Sequence, residues 1–530
     1  MKSEKMKYIL AHDHGTSGSK AAIVSIHGDV IDFEFQETPL YLFDNGGAEQ
    51  DPDEWWNAIL TTSKRLIDKD LVPVEDIVGI CCSSQWSGTV ALDKDGNHLH
   101  RAIIWMDTRG APHVKKLGGG LIKIEGYGIT NIIRFLRATG GGPGGAGKDP
   151  IAHILFLKYE IPEVYKKTYK FLECKDYLNL KFTGKFAASF DSIHLHWCTD
   201  IRDLNNIHYH DGIIKKMKID KAKLPNLKHA TDVLGVISPE VADEIGLEKK
   251  VKVIMGSPDV PSAVIGSGAV RDYEPHIYIG TSSWLTCHVP FKKTDIFHKI
   301  ASVPSPIPNR YFVGNEQEVA GGCLSFLRDN ILYHKDELLI EEQVPNVYKI
   351  FDKIVEQVPA GCNKLIFTPH LYGERTPIED STVRGALMNI SLKTTRAEII
   401  RAIFEGVAFN CRWLLYYLEK FCNNQRLDPI NIIGGGAISN IWCQIFSDVL
   451  NKKIKQVKDP IQANARGAAF IASVGLGYIN FDDIPKYIKY SNIYEPDSSN
   501  RKIYDNLFEE FVNSYKNNKK MYQRLNKQKK

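Results

Sequence analysis

The chain opens on a pattern that predicts a β-hairpin. Apolar residues dominate positions 7–11 and 20–26, and the intervening residues 13–19 are small and polar. Alternating β-prone runs around a Gly, Thr and Ser cluster are typical of two strands joined by a tight turn. A Gly28-Asp29 turn and another β-prone run follow. We therefore predict an antiparallel meander with the Gly-Thr-Ser turn at its tip.

The same pattern returns half a chain later. Residues 276–279 are β-prone, lead into Gly280-Thr-Ser-Ser, and are followed by the β-prone residues 284–289. Structural units repeated at half the length of a sequence predict two similar lobes with a cleft between them, each presenting one Gly-Thr-Ser turn. The alternative is that two strand-turn-strand pieces share three turn-prone residues by accident.

Other segments predict helices and strands in alternation. An amphipathic stretch at 151–159 and helical periods over 395–421 indicate helices, and residues 252–255 indicate a strand. The Gly434-Gly-Gly turn is expected to begin another helix. The Lys-rich residues 515–530 are expected to form a solvated or fraying helix rather than a nucleic-acid arm.

Composition and charge narrow the functional class. The 530 residues include 67 Lys+Arg and 63 Asp+Glu, and a net charge of +4 argues against binding of nucleic acid through a large basic field. The ten cysteines are scattered without a C-x-x-C pair, which indicates neither a disulfide framework nor a zinc knuckle. No apolar run reaches the roughly 18 residues of a membrane span. We therefore expect two to four soluble domains in a reducing cytoplasm, without a membrane partner.

The first candidate for chemistry is the turn that contains Gly15, Thr16 and Ser17. Backbone N–H groups and hydroxyls at such a turn point at one spot, which suits a phosphate. Asp13 could hold Mg²⁺ directly or through water, and Lys20 adds a positive charge. Taken alone, such a hairpin is more often a plain turn.

Two further glycine turns change that interpretation. The turn at Gly280 and Thr281 could face the first one, so that both grip a polyphosphate. The segment from Gly434 to Asn440 follows an apolar run and includes Gly436, and glycines there let a ring or phosphate approach the backbone. Ser439 stands in place of the last glycine of G-x-G-x-x-G, so a plain helix-starting turn is the alternative.

Residues 142–148 match the P-loop pattern G-x-x-x-x-G-K but are predicted not to form one. Asp149 stands where a Ser or Thr should supply a hydroxyl to Mg²⁺, and its carboxylate would repel phosphate. Residues 132–137 look helical, whereas a P-loop follows a buried strand. We predict a flexible loop.

Asp259 is the candidate general base. It follows a predicted strand, and Pro261 suits the first turn of a helix, so its carboxylate should lie at a helix N-terminus facing a cleft. Such a carboxylate could accept a proton from an attacking hydroxyl. The alternative is a capping or turn aspartate.

Two segments offer groups that bind polyols. One contains Gln85, Trp86 and Ser87, and the other runs from Trp105 through Asp107 to residue 109. Amide, carboxylate and indole groups could bind sugar hydroxyls and C–H faces. Buried tryptophans with satisfied neighbours are the alternative.

Taken in order, these segments resemble the FGGY carbohydrate kinases over residues 7–475, most closely the xylulose kinase branch. The matching motifs are Asp13-x-Gly-Thr-Ser, Ala48-Glu-Gln-Asp-Pro-Asp-Glu-Trp-Trp56, Trp105-Met-Asp-Thr-Arg109, Lys175-Asp-Tyr-Leu-Asn-Leu-Lys-Phe-Thr-Gly184, Asp259, Gly280-Thr-Ser-Ser, Tyr372-Gly-Glu-Arg-Thr-Pro377, Gly434-Gly-Gly-Ala and Ala465-Arg-Gly-Ala-Ala469.

The resemblance implies an α/β fold of two actin-like (ribonuclease H-like) domains with ATP, Mg²⁺ and sugar in the cleft between them. The expected bounds are 1–272 for the sugar- and phosphate-binding domain, 273–500 for the nucleotide-binding domain, and 501–530 for a basic helical tail. The implied roles are a metal ligand (Asp13), phosphate contacts (Gly15, Thr16, Ser17, Lys20, Gly280, Thr281), a nucleoside pocket (Gly321, Gly436, Asn440), sugar contacts (Gln85, Trp86, Ser87, Asp107) and the base (Asp259).

The expected reaction is transfer of the γ-phosphoryl group of ATP to a ketopentose, with D-xylulose 5-phosphate as the product. Trp86-Ser87 replaces the Met-His pair of many xylulose kinases, and Pro258 replaces a common glycine. Alternatives are another ketose or polyol, such as ribulose or a glycerol-like substrate, and an actin-like ATPase that phosphorylates no sugar. A homodimer is an open alternative to a monomer.

Overall fold

Two mixed β-sheets, each built on one of the predicted hairpins, organise the chain. The computed structural model describes residues 5–117, 123–124, 127–332 and 347–526. The strands of the first sheet are β1 (Tyr8–Gly15), β2 (Gly18–Ser25), β3 (Val30–Glu37), β4 (Ile77–Ser84), β5 (Val233–Val236) and β6 (Lys252–Ile254). Their order is β5-β6-β4-β1-β2-β3.

The second sheet has eight strands in the order β9-β10-β11-β8-β7-β12-β13-β14. They are β7 (Pro275–Ile279), β8 (Ser283–Val289), β9 (Thr294–Asp295), β10 (Ile300–Pro304), β11 (Tyr311–Gly314), β12 (Ile430–Ile433), β13 (Ile454–Val457) and β14 (Tyr490–Tyr494).

The two sheets share one topology. In the first, β3, β2 and β1 form an antiparallel meander, β4 and β6 continue it in parallel, and β5 is antiparallel. In the second, β11, β8 and β7 form the corresponding antiparallel set, β10 and β9 extend it beyond β11, β12 and β13 are parallel to β7, and β14 is antiparallel. This repeat confirms the predicted pair of actin-like lobes.

Sixteen helices are present in the described part of the chain. They are α1 (Pro52–Ile67), α2 (Ala111–Leu117), α3 (Ile129–Thr139), α4 (Pro150–Glu160), α5 (Pro162–Lys167), α6 (Cys174–Thr183), α7 (Asp211–Met217), α8 (Pro239–Ile245), α9 (Asp259–Gly266), α10 (Gly322–Leu327), α11 (Val347–Glu356), α12 (Arg396–Phe421), α13 (Asn440–Leu450), α14 (Ala463–Gly475), α15 (Ile484–Tyr487) and α16 (Arg501–Asn526). Short strands outside the two sheets are Tyr41–Leu42, Ala48–Gln50, Val90–Leu92, Ala102–Ile103, Lys123–Ile124, Tyr127–Gly128, Lys170–Leu172, Ala187–Ser189, Thr199–Asp200, His208–Tyr209, Asn226–Lys228, Ile366–Thr368 and Ala386–Met388.

Helices α9 and α14 bring the two lobes together at a pair of glycines. A Cβ atom on Gly467 would lie 1.8 Å from the carbonyl oxygen of Ser262, and one on Gly266 would lie 1.8 Å from that of Ala463. The two helix backbones are therefore in direct contact, which no residue with a side chain would allow. One hydrophobic cluster contains residues of both sheets and of both helices, so the lobes share a core at this crossing.

The C-terminal tail differs from the prediction. Residues 501–526 form one long helix, and within the segment 515–530 that was expected to be solvated, Tyr515 and Tyr522 are buried against the second lobe. The aromatic residues of this helix recur at helical spacing and share one face, which explains the packing. Residues 527–530 lie outside the described residues.

Two further predictions can be checked here. All ten cysteines are free and buried, which confirms the absence of a disulfide framework. Residues 142–148 follow α3 rather than a strand, which confirms that they are not a P-loop. In the described part of the chain, no helix combines the length and apolar character needed to cross a bilayer.

Candidate active site

The first glycine turn is held by side chains from three other segments. The Thr16 hydroxyl donates to Gln85 Oε1 at 3.1 Å and accepts from Trp105 Nε1 at 2.9 Å. Gln50 Nε2 donates to the Thr16 carbonyl at 2.8 Å and also lies within reach of Gln85, whose Nε2 donates to Gln50 Oε1 at 2.7 Å. Ser17 is exposed at the tip. The turn is therefore fixed in one conformation with its tip open to solvent.

Asp13 and Lys20, at the base of this turn, face the second lobe. Lys20 Nζ donates to the carbonyl of Ile461 at 3.0 Å, just before α14. Asn464, in the first turn of α14, donates from Nδ2 to Asp13 Oδ1 at 3.2 Å, and Asp13 Oδ2 is 3.8 Å from Lys20 Nζ. The first glycine turn thus opens toward the cleft between the lobes.

The other residues that were predicted to bind nucleotide lie around the second glycine turn, at the end of β7. The Gly321 amide donates to the Gly280 carbonyl at 2.8 Å, and the Gly322 amide donates to the Thr281 carbonyl at 3.1 Å. Gly434 has a φ of +89° and passes so close to β7 that a Cβ there would lie 2.5 Å from the Ile279 carbonyl oxygen.

The predicted nucleoside residues lie at this same end. Gly436 lies against Ile279, where a Cβ atom would meet the isoleucine side chain at 2.3 Å. Asn440 is exposed at the first position of α13, and its Oδ1 accepts hydrogen bonds from Gln456 Nε2 and the Tyr494 hydroxyl. The structure therefore brings Gly280, Thr281, Gly321 and Gly436 together at one end of the second lobe, with Asn440 four residues beyond Gly436.

Asp259 lies between the lobes at the first position of α9. Its Oδ1 accepts from the Val260 amide at 2.8 Å. Burial raises the pKa of Asp259 to about 7, the Val260 amide opposes this rise, and the charges of Asp13 and Glu316 add to it. Burial likewise raises the pKa of Tyr278, on β7, to about 12, reinforced by Asp13 and Asp259. Groups on the strands that lead into both glycine turns therefore share one electrostatic environment with Asp259.

A buried polar cluster holds the segment that precedes Asp259. The Met255 carbonyl accepts from Lys175 Nζ at 3.0 Å and from Asn179 Nδ2 at 2.7 Å. The Ser257 hydroxyl donates to Asp191. Lys175 is fully buried and forms an ion pair with Asp176. These contacts fix the backbone immediately before the candidate base.

The segment that contains Gln85, Trp86 and Ser87 runs from the first turn to the second lobe. Trp86 Nε1 donates to the Ser192 carbonyl at 2.9 Å, and its ring lies 6.2 Å from that of Phe312 on β11. Ser87 has a φ of +68°, and its hydroxyl donates to the Lys148 carbonyl at 2.8 Å. Trp86 thus lies at the boundary of the lobes, next to the expected sugar pocket.

Asp107, which was expected to contact sugar, is held by other groups of the protein. Its side chain is buried, its Oδ2 accepts from the Ala48 amide at 2.9 Å, and both oxygens accept from Arg109. Arg109 in turn pairs with Glu49 at 2.6 Å. These contacts hold the loop around Trp105 and occupy both oxygens of the carboxylate, and contact with sugar stays a prediction.

Five charged residues to which the sequence analysis gave no role lie on the two sides of the cleft. Lys148 Nζ is 5.9 Å from the centre of the Trp105 ring, and Asp149 accepts from Trp197 Nε1 at 3.0 Å. On the second lobe, Arg375 forms ion pairs with Glu316 and with Glu318.

These charges interact between the lobes. Burial raises the pKa of Asp149 to about 6, and Arg375 is among the groups that oppose the rise. Burial also raises the pKa of Glu316, against the charges of Arg375 and Lys148. Two features of the sequence could have marked these residues: the Lys148-Asp149 pair at the end of the P-loop-like segment, and the Gly-Glu-Arg-Thr-Pro motif that contains Arg375. No sequence feature marks Glu316. The loop of residues 142–148, which was predicted to be flexible, is held at its end: the Lys148 carbonyl accepts from Ser87, and the Asp149 carboxylate accepts from Trp197.

The fold and the cleft define a two-lobed phosphotransferase, and comparisons identify its family. Residues 8–266 match the N-terminal domain model, and residues 276–476 the C-terminal domain model, of the FGGY family of carbohydrate kinases. The chain belongs to this family and is an ATP-dependent sugar kinase.

Similar proteins differ in the sugar that their names specify. A xylulose kinase of Bacillus subtilis (strain 168) is 27% identical over 97% of this chain and 98% of its own, and a gluconokinase of the same organism is 25% identical over 96% and 95%. The crystal structure of ligand-bound xylulose kinase from Lactobacillus acidophilus superposes with a TM-score of 0.84 at 24% identity, over 98% of this chain and 100% of that one.

Proposed function

We propose that this kinase phosphorylates a ketopentose, with D-xylulose as substrate and D-xylulose 5-phosphate as product. The observation that carries the proposal is the position of Asp259 at the start of α9, in one electrostatic environment with Asp13 of the first phosphate turn and Tyr278 beside the second. An acid there can accept the hydroxyl proton while the phosphoryl group is transferred. The xylulose kinases among the relatives support the choice of sugar.

The charges of the cleft favour a neutral sugar over an aldonic acid such as gluconate. Asp149, Asp259, Glu316 and Glu318 are four acids, against which stand Lys148 and Arg375. A substrate carboxylate would meet an excess of negative charge in this partly desolvated space. The same argument leaves ribulose and glycerol-like polyols as alternatives, because they too are neutral.

The remaining roles follow from the two turns and the nucleotide end of the second lobe. Mg²⁺ would neutralise phosphate charge, and Asp13 fits it because this partly exposed carboxylate keeps acceptor capacity beyond its contacts with Asn464 and Lys20. The groups proposed to bind ATP are Gly15, Thr16, Ser17, Lys20, Gly280 and Thr281 for the phosphates, and Gly321, Gly436 and Asn440 for the nucleoside. Gln85, Trp86 and Ser87 are proposed to select the sugar.

The substrate proposal is tested by comparing kcat/KM for D-xylulose, D-ribulose, gluconate and glycerol at saturating ATP. We expect D-xylulose to give the highest value and gluconate to be at least about 100-fold poorer, because its carboxylate would meet more acidic than basic side chains in the cleft. A kcat/KM for gluconate equal to or above that for D-xylulose would reject the proposed sugar while leaving the kinase activity intact.

The pH dependence of kcat/KM should report the raised pKa of Asp259. The base must be ionised to accept a proton, so the rate should increase with pH and level off above a pKa near 7. The raised pKa gives the stability of the fold the opposite pH dependence. Because the folded pKa exceeds the value of 3.8 in the unfolded chain, this group's contribution to stability is present below about pH 4 and is lost as pH rises through about 7. A rate profile that is flat between pH 5.5 and 8 would contradict the assignment.

The pair Trp86 and Ser87 should set the sugar preference. The double variant W86M/S87H removes the ring beside Phe312 and places an imidazole where the hydroxyl bonds Lys148. We expect the ratio of kcat/KM between D-xylulose and D-ribulose to change by about tenfold, while KM for ATP stays within twofold. The control is W86F, which keeps an aromatic ring at the lobe boundary. An unchanged ratio in W86M/S87H would show that this pair does not select the sugar.

A further inference from the structure

A second concave site lies on the first lobe, outside the cleft. It is a cavity of about 240 Å³ lined by Ile133, Arg134, Arg137, Ala138, Arg202 and His210. Four of them belong to α3, while Arg202 and His210 follow the paired strands Thr199–Asp200 and His208–Tyr209. None of them has a role in the proposed phosphotransfer site.

The charge of this cavity is strongly positive. Arg202 is neutralised by Asp200, with Nε to Oδ1 at 2.9 Å and Nη2 to Oδ2 at 2.6 Å. Arg134 and Arg137 lie three residues apart on α3, and neither has an ion pair with any residue that the structure describes. More than half of the arginines in the described chain do form such pairs. Two like charges at this helical spacing repel one another, so an anion between them would relieve the repulsion.

The cavity also borders the contact between the lobes. Lys292 of the second lobe donates from Nζ to the carbonyls of Leu136 at 2.7 Å and Arg137 at 3.0 Å, at the end of α3. The Tyr311 hydroxyl donates to the Ile201 carbonyl at 2.7 Å. The backbone that carries Arg137, and the backbone next to Arg202, are therefore anchored from the second lobe.

We propose that this cavity is a binding site for a phosphate group, carried either by inorganic phosphate or by a phosphorylated sugar. The guanidinium groups of Arg134 and Arg137 are planar forks that match phosphate oxygens in pairs, and phosphate bears the charge that the cavity lacks. Arg202 contributes further N–H donors, and the apolar atoms of Ile133 and Ala138 leave room for the carbons of a sugar. The proposal does not depend on which sugar the kinase phosphorylates.

Isothermal titration calorimetry with the full-length protein tests the site. The cleft is first saturated with Mg²⁺ and a non-hydrolysable ATP analogue, and inorganic phosphate or D-xylulose 5-phosphate is then titrated in separate experiments. The variant R134Q/R137Q removes both unpaired guanidinium groups. The control K64Q/R65Q removes the same charge from two exposed residues at the end of α1.

The parent and K64Q/R65Q should bind one phosphate group with equal affinity, and R134Q/R137Q should bind it at least tenfold more weakly. Tighter binding of the sugar phosphate than of inorganic phosphate would identify the sugar ester as the ligand, and equal binding would identify phosphate alone. Absence of saturable binding in the parent, or equal binding by R134Q/R137Q, would overturn the proposal.

A second measurement uses the parent protein, so its result does not depend on how the variant folds. Phenylglyoxal modification of Arg134 and Arg137, followed by mass spectrometry, should slow at least threefold when phosphate is added, whereas modification of Arg65 should not change. Equal protection of all three arginines, or none, would also overturn the site.

Discussion

Replacing Asp259 by asparagine is expected to lower kcat by about 10³-fold or more, because the amide cannot accept the proton of the attacking hydroxyl. The variant keeps an oxygen that can accept from the Val260 amide, so the start of α9 should be preserved. Nucleotide binding, measured by titration with an ATP analogue, should stay within about threefold of the parent. Loss of turnover with retained binding is the signature of a base rather than of a structural residue.

The control for this variant is D243N. Asp243 lies exposed on α8, where its carboxylate pairs with Lys249 at 2.9 Å. The same change of acid to amide at this position should leave kcat within twofold. A D259N enzyme that still turns over within tenfold of the parent would remove Asp259 from the mechanism, whatever the control shows.

Replacing Lys175 by methionine is expected to destabilise the fold by roughly 3–5 kcal/mol, the usual cost of removing one partner of a buried ion pair. Lys175 is completely buried, pairs with Asp176 and donates to the Met255 carbonyl. Its positive charge also opposes the burial-driven rise in the pKa of both Asp176 and Asp191. Without it, both carboxylates would remain buried with less compensation. The free energy of unfolding in urea gives the measurement.

Two companion variants separate this effect from a general loss of packing on α6. K181M removes a half-buried lysine of the same helix and should cost less than about 1 kcal/mol. K175M/D176L removes both members of the pair and should recover part of the stability, because no unpaired charge is left at that position. A K175M protein with the same urea midpoint as the parent would show that the buried charge is not needed.

Local pattern was sufficient for the features that local chemistry determines. Gly-Thr-Ser clusters between β-prone runs predicted both hairpins, because turns restrict residue types more than any other element does. The order of strand, Asp259 and Pro261 predicted a carboxylate at a helix N-terminus, and α9 begins at that residue. The mismatch of Asp149 with the P-loop pattern correctly excluded a P-loop.

Partners that are distant in sequence were not predictable in the same way. Asp107 was expected at the sugar because its segment is rich in polar groups. In the structure, its carboxylate accepts hydrogen bonds from the Ala48 amide and from Arg109, and neither contact is marked in the sequence. Glu316 comes near Lys148 only through the folding of two lobes, and nothing around either residue in the sequence marks the other. The same holds for Lys20 and the Ile461 carbonyl, 441 positions apart.

The first glycine turn and Asp259 are connected through helices α9 and α14. Lys20 and Asp13 each contact the beginning of α14. Where α9 and α14 cross, their backbones are in direct contact at Gly266 and Gly467. Asp259, the proposed base at the start of α9, and the first glycine turn are therefore joined to the same pair of helices. Closure of the lobes about this crossing would bring the sugar and the phosphates together while excluding water.

Product analysis by nuclear magnetic resonance tests most directly whether one triphosphate cleft beside Asp259 transfers phosphate to a ketopentose. The protein is incubated with Mg²⁺, ATP and D-xylulose, and with Mg²⁺ and ATP alone, and ³¹P and ¹³C spectra are followed with time. We expect ADP to form only when sugar is present, in equal amount to a new phosphate ester on C5 of D-xylulose. ADP formation at the same rate without sugar, or no C5 ester in the presence of D-xylulose, would contradict the proposed function.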